Sequence, residues 1–400
     1  MSDALNLIGF RYNTALTVFF VPYAIFEIPS NIVLKLIRPS IWISILCFAW
    51  GTVSTYHGLV VARFFFGVAE AGFFPAATYL LTIWYRRYEV QRRTSVFYAA
   101  ASLSGVFSGL LAHAIEHMNG VAGLGGWKWI FILEGLIPVA VAFTLYFLLP
   151  NKPETARFLT KDEREFVINR IALQTGSGRG RVTNADKINW HHIKVAFSDW
   201  KVWLAIIPFW ACSTGTYGFT STVPSVLKEM GYTTGNAQLL TVPIYVFGMT
   251  ATLVVAFWSD HIQQRTPFIM GGFAIALVGF IGELAIPHPK LPGMTYFFLF
   301  LVAAGFYCPF TCVVTLVANN IAPSSKRAVG MALLISVGNQ GGICGSNIYF
   351  VAEEPKYPTG FGVSLGICAA GIVAAFILRK AYQRKNKRRD EVLESEGEDL

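Results

Sequence analysis

Apolar runs long enough to cross a lipid bilayer recur along this chain, and they constrain it more than any motif does. A helix of about 20 apolar residues spans the hydrocarbon core. Such runs occur at 13–36, 40–56, 59–83, 94–115, 127–149, 201–227, 238–259, 267–286, 294–320, 329–352 and 362–382. Backbone N–H and C=O groups find no water partner in hydrocarbon, so helices are the expected form. Charged residues are 14% of the 400 and hydrophobic residues 54%, against roughly 25% and 45–50% in soluble chains. A chain this apolar cannot cover its surface with polar groups. That excludes a soluble enzyme, a disordered chain and a small disulfide-stapled module. The net charge of +9 does not point to nucleic acid, because Lys and Arg sit in short clusters between the apolar runs, where they act as topology signals.

Those clusters alternate. Lys35 and Arg38, Arg86/Arg87 with Arg92/Arg93, Arg265, Lys326/Arg327, the 150–200 stretch and Arg379–Arg389 form one set; the other holds the isolated Lys128, Lys228, Lys290 and Lys356. The positive-inside rule places the first set, and with it the C-terminus, in the cytoplasm. The expected organisation is a five-span bundle at 1–149, a cytoplasmic linker at 150–200, a six-span bundle at 201–382 and a cytoplasmic tail at 383–400. The linker contains Thr175–Arg181 (TGSGRGR). Its glycine spacing faintly resembles a phosphate loop, but no strand precedes it and no Lys-Ser/Thr follows, so it reads as a flexible connection. Five spans against six put the N-terminus outside and suggest that a first helix is missing.

A repeat supports the two-bundle division. A shift of about 233 residues brings Gly72-Phe73-Phe74 onto Gly305-Phe306-Tyr307, each followed closely by proline, and Gly105 and Gly109 onto Gly338 and Gly342. Both glycine pairs are GxxxG, which lets helix backbones approach closely. Parallel halves related by an axis along the membrane normal are a transporter design.

Ionisable groups inside a span are expensive, so each needs a reason. Arg63 and Glu70 share the 59–83 run. Seven residues put them on one helix face, about 10.5 Å apart along the axis, too far for a direct pair. One reading is an anion-binding arginine and a proton-titrating glutamate; the other is a charge network that holds helices together. Their partners in the repeat are Tyr296 and Ala303, so packing alone does not demand charge there. Glu27 lies one turn from Tyr23 in a run bent by Pro22 and Pro29; it titrates or, as preferred, hydrogen-bonds a neighbouring helix. Glu134 reads as an inter-helix hydrogen-bonding group. Thr214, Thr216, Tyr217 and Thr220, together with Ser336, Asn339 and Gln340, either meet a substrate at the midplane or glue helices.

No catalytic or metal constellation appears. The six cysteines lie in apolar runs, and Cys308/Cys312 lack a His or second pair. There is no HExxH and no Walker sequence, and GxSxG at 362–366 falls in an apolar run without its strand-turn-helix context. No enzyme activity, cofactor or metal is expected.

Tyr12–Thr17 leading into Phe19–Tyr23 and Glu27–Asn31 resembles fungal allantoate-permease-like transporters of the anion:cation symporter branch of the major facilitator superfamily. So do Ala62–Phe64 through Gly67–Pro75, and Gly126–Phe131 with Glu134-Gly135. Trp258-Ser259-Asp260 with Arg265 is similar to the superfamily's cytoplasmic loop motif; the first-half counterpart keeps Lys35 and Arg38 without the Asp. The resemblance implies an all-α membrane protein of two pseudo-symmetric helical bundles, normally of twelve helices, with eleven here because the helix that relatives carry before Asp3 is absent. It implies import of a small organic anion (a carboxylate, ureide or vitamin such as allantoate or nicotinate) with protons, in the plasma membrane. It assigns proton coupling to Glu70, binding to Arg63, a cavity wall to Tyr23, and site candidates to Tyr217 and Asn339. Structural or gating parts fall to Glu27, Glu134, Asp260, Arg265, Gly105, Gly109, Gly338 and Gly342. The expected partners are the anion, the proton and the lipid bilayer, with the chain a monomer. Two alternatives stay open: a non-transporting sensor or inactive short form, and a facilitative carrier of a neutral solute.

Overall fold

The structure is a computed structural model. It describes residues 11–33 and 56–71, short stretches between 77 and 160, residues 161–175, and 190–395 apart from 287–289, 322–323, 351–352 and 354–355. The runs at 40–56, 94–115 and 127–149 lie wholly or largely outside the described residues, as do Lys35, Arg38, Gly105, Gly109, Glu134 and nearly all of Thr175–Arg181.

Every regular element among the described residues is helical. In chain order they are α1 (Arg11–Val33), α2 (Tyr56–Glu70), α3 (Lys161–Thr175), α4 (Trp190–Phe197), α5 (Trp200–Glu229), α6 (Thr234–Ile262), α7 (Thr266–Ala285), α8 (Pro292–Asn320), α9 (Ser324–Asn339), α10 (Gly341–Asn347) and α11 (Pro358–Ser395). Residues 93–100 are also helical, and Val121–Gly123 form a short 3-10 turn.

Local chemistry sets the ends of these helices. The Asp199 carboxylate accepts from the Lys201 N–H at 3.2 Å and starts α5; Thr233 does the same for α6 through the Asn236 N–H. At α3, the Thr160 N–H and hydroxyl both donate to the Glu163 carboxylate at 2.9 Å, and the Glu163 N–H faces the Thr160 hydroxyl oxygen at 3.4 Å, a capping box. The 150–200 stretch therefore carries helical structure on both sides of its basic segment. Gln263, at φ 56° in the left-handed region, ends α6. Proline opens α7 and α8, where a missing N–H costs nothing.

Two runs differ in form from their sequence reading. The stretch 329–352 is not one span: Gln340 separates α9 from α10. Two glycines follow it, and glycine favours a helix interruption over its interior. The last helix does not stop near 382 but continues through the basic cluster to Ser395.

Glycine lets the helices pack closely. A Cβ on Gly305 in α8 would sit 2.6 Å from the Ala276 nitrogen of α7, and one on Gly279 3.1 Å from the Val302 nitrogen. Gly67 of α2 lies against the Phe19 carbonyl and the Pro22 ring of α1. α1 packs on α2 and also on α9 and α10, so it joins the two halves of the chain. The Tyr98 ring stacks on Phe310 of α8 at 4.1 Å and is a second junction between them. Large apolar side chains stay exposed along α6 (Val246, Phe247, Val254), α7 (Ile275, Val278, Ile281) and α11 (Val373, Phe376, Ile377). A surface of that kind suits lipid rather than water. Stretches of α6, α7, α8 and α11 are each long and apolar enough to cross a membrane.

Candidate functional site

The geometry around α1 and α2 brings together residues distant in sequence. On α2, Arg63, Gly67 and Glu70 follow one another at helical spacing. Because Gly67 abuts Phe19 and Pro22, the Arg63–Glu70 face is turned to α1. The ring of Phe19 closes this contact against Phe66 at 5.6 Å and Tyr23 at 5.7 Å. Arg63 is half-buried and its charge acts on Glu70. Glu70 in turn acts on Tyr23 of α1 and on Tyr217 of α5.

From the other half, Asn339 at the end of α9 lies beside Tyr23, and its Oδ1 accepts from the Ser213 hydroxyl of α5 at 3.3 Å. The ring of Phe20 meets Tyr217 edge-on at 4.9 Å. Gly342 provides the space: a Cβ there would run into Phe20 and come within 2.9 Å of Tyr217. Gly338 likewise receives the Phe209 ring. The close backbone approach of α10 to α5 belongs to Gly341 and Gly345, one register away, where a Cβ would meet the carbonyls of Trp210 and Thr214.

Glu70 and Tyr217 are both accessible, Tyr217 to 40%, while Tyr23 beside them is buried. The Glu70 charge acts on both tyrosines, so these three side chains lie near one another where α1 and α2 approach the second half. Tyr23, Glu70, Arg63, Tyr217 and Asn339 thus form one cluster, drawn from four helices. The residues matching Arg63 and Glu70 in the repeat do something else. Tyr296 donates to the Leu240 carbonyl at 2.9 Å, and Ala303 is fully buried.

Other sequence candidates sit apart. Glu27 is fully buried, yet neither carboxylate oxygen has a hydrogen-bond partner among the described residues; the tether expected of it to a neighbouring helix is not among the described contacts. Arg265 pairs with Asp260 at 3.3 Å. With the Asn319 amide turned so that its oxygen faces the guanidinium, Arg265 also donates to it twice at 3.2 Å. Ser259 donates to the Gln264 carbonyl at 3.1 Å. This set ties the end of α6 to the end of α8. Ser336 and Gln340 are directed at the α1 backbone, donating to the carbonyls of Ala24 at 2.7 Å and Phe20 at 3.1 Å.

Three tyrosines escaped the sequence reading. Tyr98 lies beside Thr216, Tyr217 and Tyr307, and Tyr307 beside Tyr245 and Thr220. The signal for Tyr307 was present, since the repeat places it opposite Phe74. Glu283 was hidden in the strongly apolar 267–286 run; it is fully buried beside Tyr349, away from this cluster.

Helices with lipid-suited faces, a polar cluster drawn from both halves, and small-residue packing define a polytopic membrane protein. The sequence profile described as Major Facilitator Superfamily matches residues 1–346, and the chain belongs to that family. It is a membrane transport protein, not an enzyme. The chain is 35% identical over 404 residues to the MFS-type transporter cnsO of Penicillium expansum, covering 97% of this chain and 77% of that one. It is 28% identical over 401 residues to the high-affinity nicotinic acid transporter of Saccharomyces cerevisiae, covering 98% and 73%. Among solved structures, the proton:xylose symporter XylE superposes with a TM-score of 0.69 at 18% identity, covering 95% of this chain and 86% of that one. The Escherichia coli fucose:proton symporter FucP gives 0.63 at 14%, covering 94% and 92%. At such identities the structural likeness carries the fold alone, two helical bundles.

Proposed function

We propose that the chain is a proton-coupled importer of a small organic anion, of the allantoate-permease-like kind, working by alternating access. The observation that carries this is the convergence of Arg63, Glu70, Tyr23, Tyr217 and Asn339 on one accessible junction between the halves. Arg63 supplies the positive charge for a carboxylate, which a planar guanidinium grips through paired hydrogen bonds. Glu70 exchanges the proton. Its charge and the anion's each raise the cost of the other, so neutralising Glu70 favours anion binding and the two movements become coupled. Tyr23, Tyr217 and Asn339 supply walls and hydrogen bonds that orient the cargo. The nicotinic acid transporter among the relatives supports a small aromatic or aliphatic carboxylate as cargo.

In this reading 1–149 and 201–382 are the two bundles and 150–200 joins them. The tail from 383 lies in the cytoplasm, and the monomer works in the plasma membrane. Asp260 and Arg265 brace the cytoplasmic end of the second bundle, and Gly338 and Gly342 give the rings room to move as the halves rock.

Uptake of labelled nicotinate, allantoate and a panel of simple carboxylates into cells expressing the chain tests the reading, with and without a protonophore. Arg63→Ala abolishes uptake at low substrate. Glu70→Gln leaves exchange of internal for external anion but removes accumulation driven by a pH gradient. Gradient-driven accumulation by Glu70→Gln at the wild-type level removes the glutamate from coupling. Uptake that ignores the protonophore favours a facilitative carrier instead.

A further inference from the structure

Besides the Tyr23–Asn339 contact, the surface where α1 meets α9 and α10 holds three hydrogen bonds between the halves. The Asn347 amide donates to the Thr17 hydroxyl at 3.1 Å, the Gln340 amide to the Phe20 carbonyl at 3.1 Å, and the Ser336 hydroxyl to the Ala24 carbonyl at 2.7 Å. On α1 the acceptors fall at 17, 20 and 24, one helix stripe. They run from near the start of α1 to its middle. The three bonds hold the Thr17–Ala24 stretch of α1 against α9 and α10.

The chemistry of these bonds is unusual for a permanent joint. Two of the acceptors are backbone carbonyls within a regular helix, already able to serve their own ladder, so losing the side-chain donor does not orphan them. Two of the three donors, Gln340 and Asn347, have local partners as well. The Gln340 amide also reaches the Ser336 carbonyl at 3.3 Å. The Asn347 amide also donates to the Ile343 carbonyl at 2.8 Å and lies 3.3 Å from the Ser346 hydroxyl. When the halves part, Gln340 and Asn347 keep a hydrogen bond inside their own helices. An unsatisfied amide in a low-dielectric site is what makes opening such an interface costly, and for these two amides that cost is removed in advance.

We propose that Ser336, Gln340 and Asn347 form a reversible latch on α1, which holds the Thr17–Asn347 end of the junction shut and sets the balance between the two open states of the carrier. The inference rests on the rocking mechanism proposed above. These are positioning residues: they act through α1, which carries Phe20 and Tyr23 into the site, and they need not touch cargo. The helix interruption after Gln340 serves the same purpose, since it lets α10 turn separately from α9.

The test reads distance rather than transport. Spin labels at the exposed His57, near the start of α2, and Lys228, near the end of α5, report separation at the latched end. Cys47 and Cys344 are replaced by serine and the protein is held in lipid nanodiscs. In the parent, pulsed electron-spin measurements give a short and a long population. Ser336→Ala and Gln340→Leu each raise the long-to-short ratio by about threefold, the average worth of one interhelical hydrogen bond in a bilayer, and together by about tenfold. Ser336→Thr, which keeps the donor, restores the parent ratio. Thr315→Ala, which removes a bond made within α8 alone, leaves it unchanged. If Gln340→Leu does not fold, Ser336→Ala with its Thr rescue decides the matter. Two parent populations that Ser336→Ala and Gln340→Leu leave unmoved overturn the latch but not the rocking carrier. A single parent population, unmoved by pH or by nicotinate, overturns both.

Discussion

Replacing Gly345 by alanine puts one methyl group where α10 meets the backbone of α5. The added Cβ would press on the Thr214 carbonyl oxygen, lie 2.9 Å from the Gly218 nitrogen and 3.1 Å from the Thr214 carbonyl carbon. Carbon contacts relax to about 3.5–4.0 Å, so α10 must retreat by roughly 0.5–1 Å. No flexible side chain can give way, because both neighbours are helix backbone. Overpacking of this kind costs about 1–3 kcal/mol, and the better helix propensity of alanine returns at most about 1 kcal/mol. The retreat also carries Asn347 away from Thr17, stretching their 3.1 Å bond beyond the useful range of about 3.2 Å. A thermal melt of purified protein, followed by intrinsic tryptophan fluorescence, should fall by about 2–6 °C. The matched control is Gly366→Ala on α11, where a Cβ meets nothing within 4 Å; its melt should hold or rise slightly. If Gly345→Ala melts with Gly366→Ala at or above the parent, the close approach of α10 and α5 is not what holds them.

The remaining predictions concern the ends and the walls of the bundles. Burial pushes the Asp199 carboxyl up, but the hydrogen bond from Lys326, the Lys201 N–H and the charges of both lysines outweigh it and hold it below its ordinary 3.8. Its contribution is therefore present above pH 3.8 and lost as the pH falls through the lower folded value. Asp199→Asn should melt lower than the parent at pH 7, by no more than about 1 kcal/mol, and the gap should close in melts run progressively below pH 4; a gap independent of pH refutes the ion pair. Arg265→Lys cannot serve Asp260 and Asn319 together through a planar fork, so it should lose thermal stability nearly as far as Arg265→Ala, and a lysine variant matching the parent would show that charge alone suffices. Tyr217→Phe keeps the ring contact with Phe20 at 4.9 Å and removes only the hydroxyl. It should raise the substrate concentration needed for half-maximal uptake by roughly fivefold, the worth of about one hydrogen bond, without lowering the melt. An unchanged concentration dependence would remove that hydroxyl from the cargo site.

Arg63 and Glu70 stood out in the sequence because a charge in an apolar run is costly wherever the helix ends up, and the Tyr296/Ala303 comparison needed no coordinates. The second-half spans were legible for a similar reason: transfer into hydrocarbon depends on composition over about 20 residues, a local property. The helix interruption at Gln340 was not legible, since hydropathy continues smoothly across Gly341 and Gly342. Nor were the partners of polar groups. Ser336, Asn339 and Gln340 read alike, yet Asn339 meets the Tyr23 side chain while the other two bond the backbone of α1. Tyr98 looked like any aromatic in an apolar run until its ring was found against Phe310.

The sequence by itself determined that this chain lives in lipid as helices and that Arg63 and Glu70 share a helix face, because hydrophobicity and helical period act within one segment. It also marked the second half as a variation on the first, through glycines and a proline kept at a common spacing. Only the tertiary structure decided that this face turns to α1, that Tyr23, Tyr217 and Asn339 join it, and that Gly341 and Gly345 bring α10 onto α5 while Gly338 and Gly342 make room for rings. Those facts depend on which helices are neighbours and how each is rotated, and in a bilayer small-residue packing and side-chain geometry set both, not the average hydrophobicity that a sequence displays.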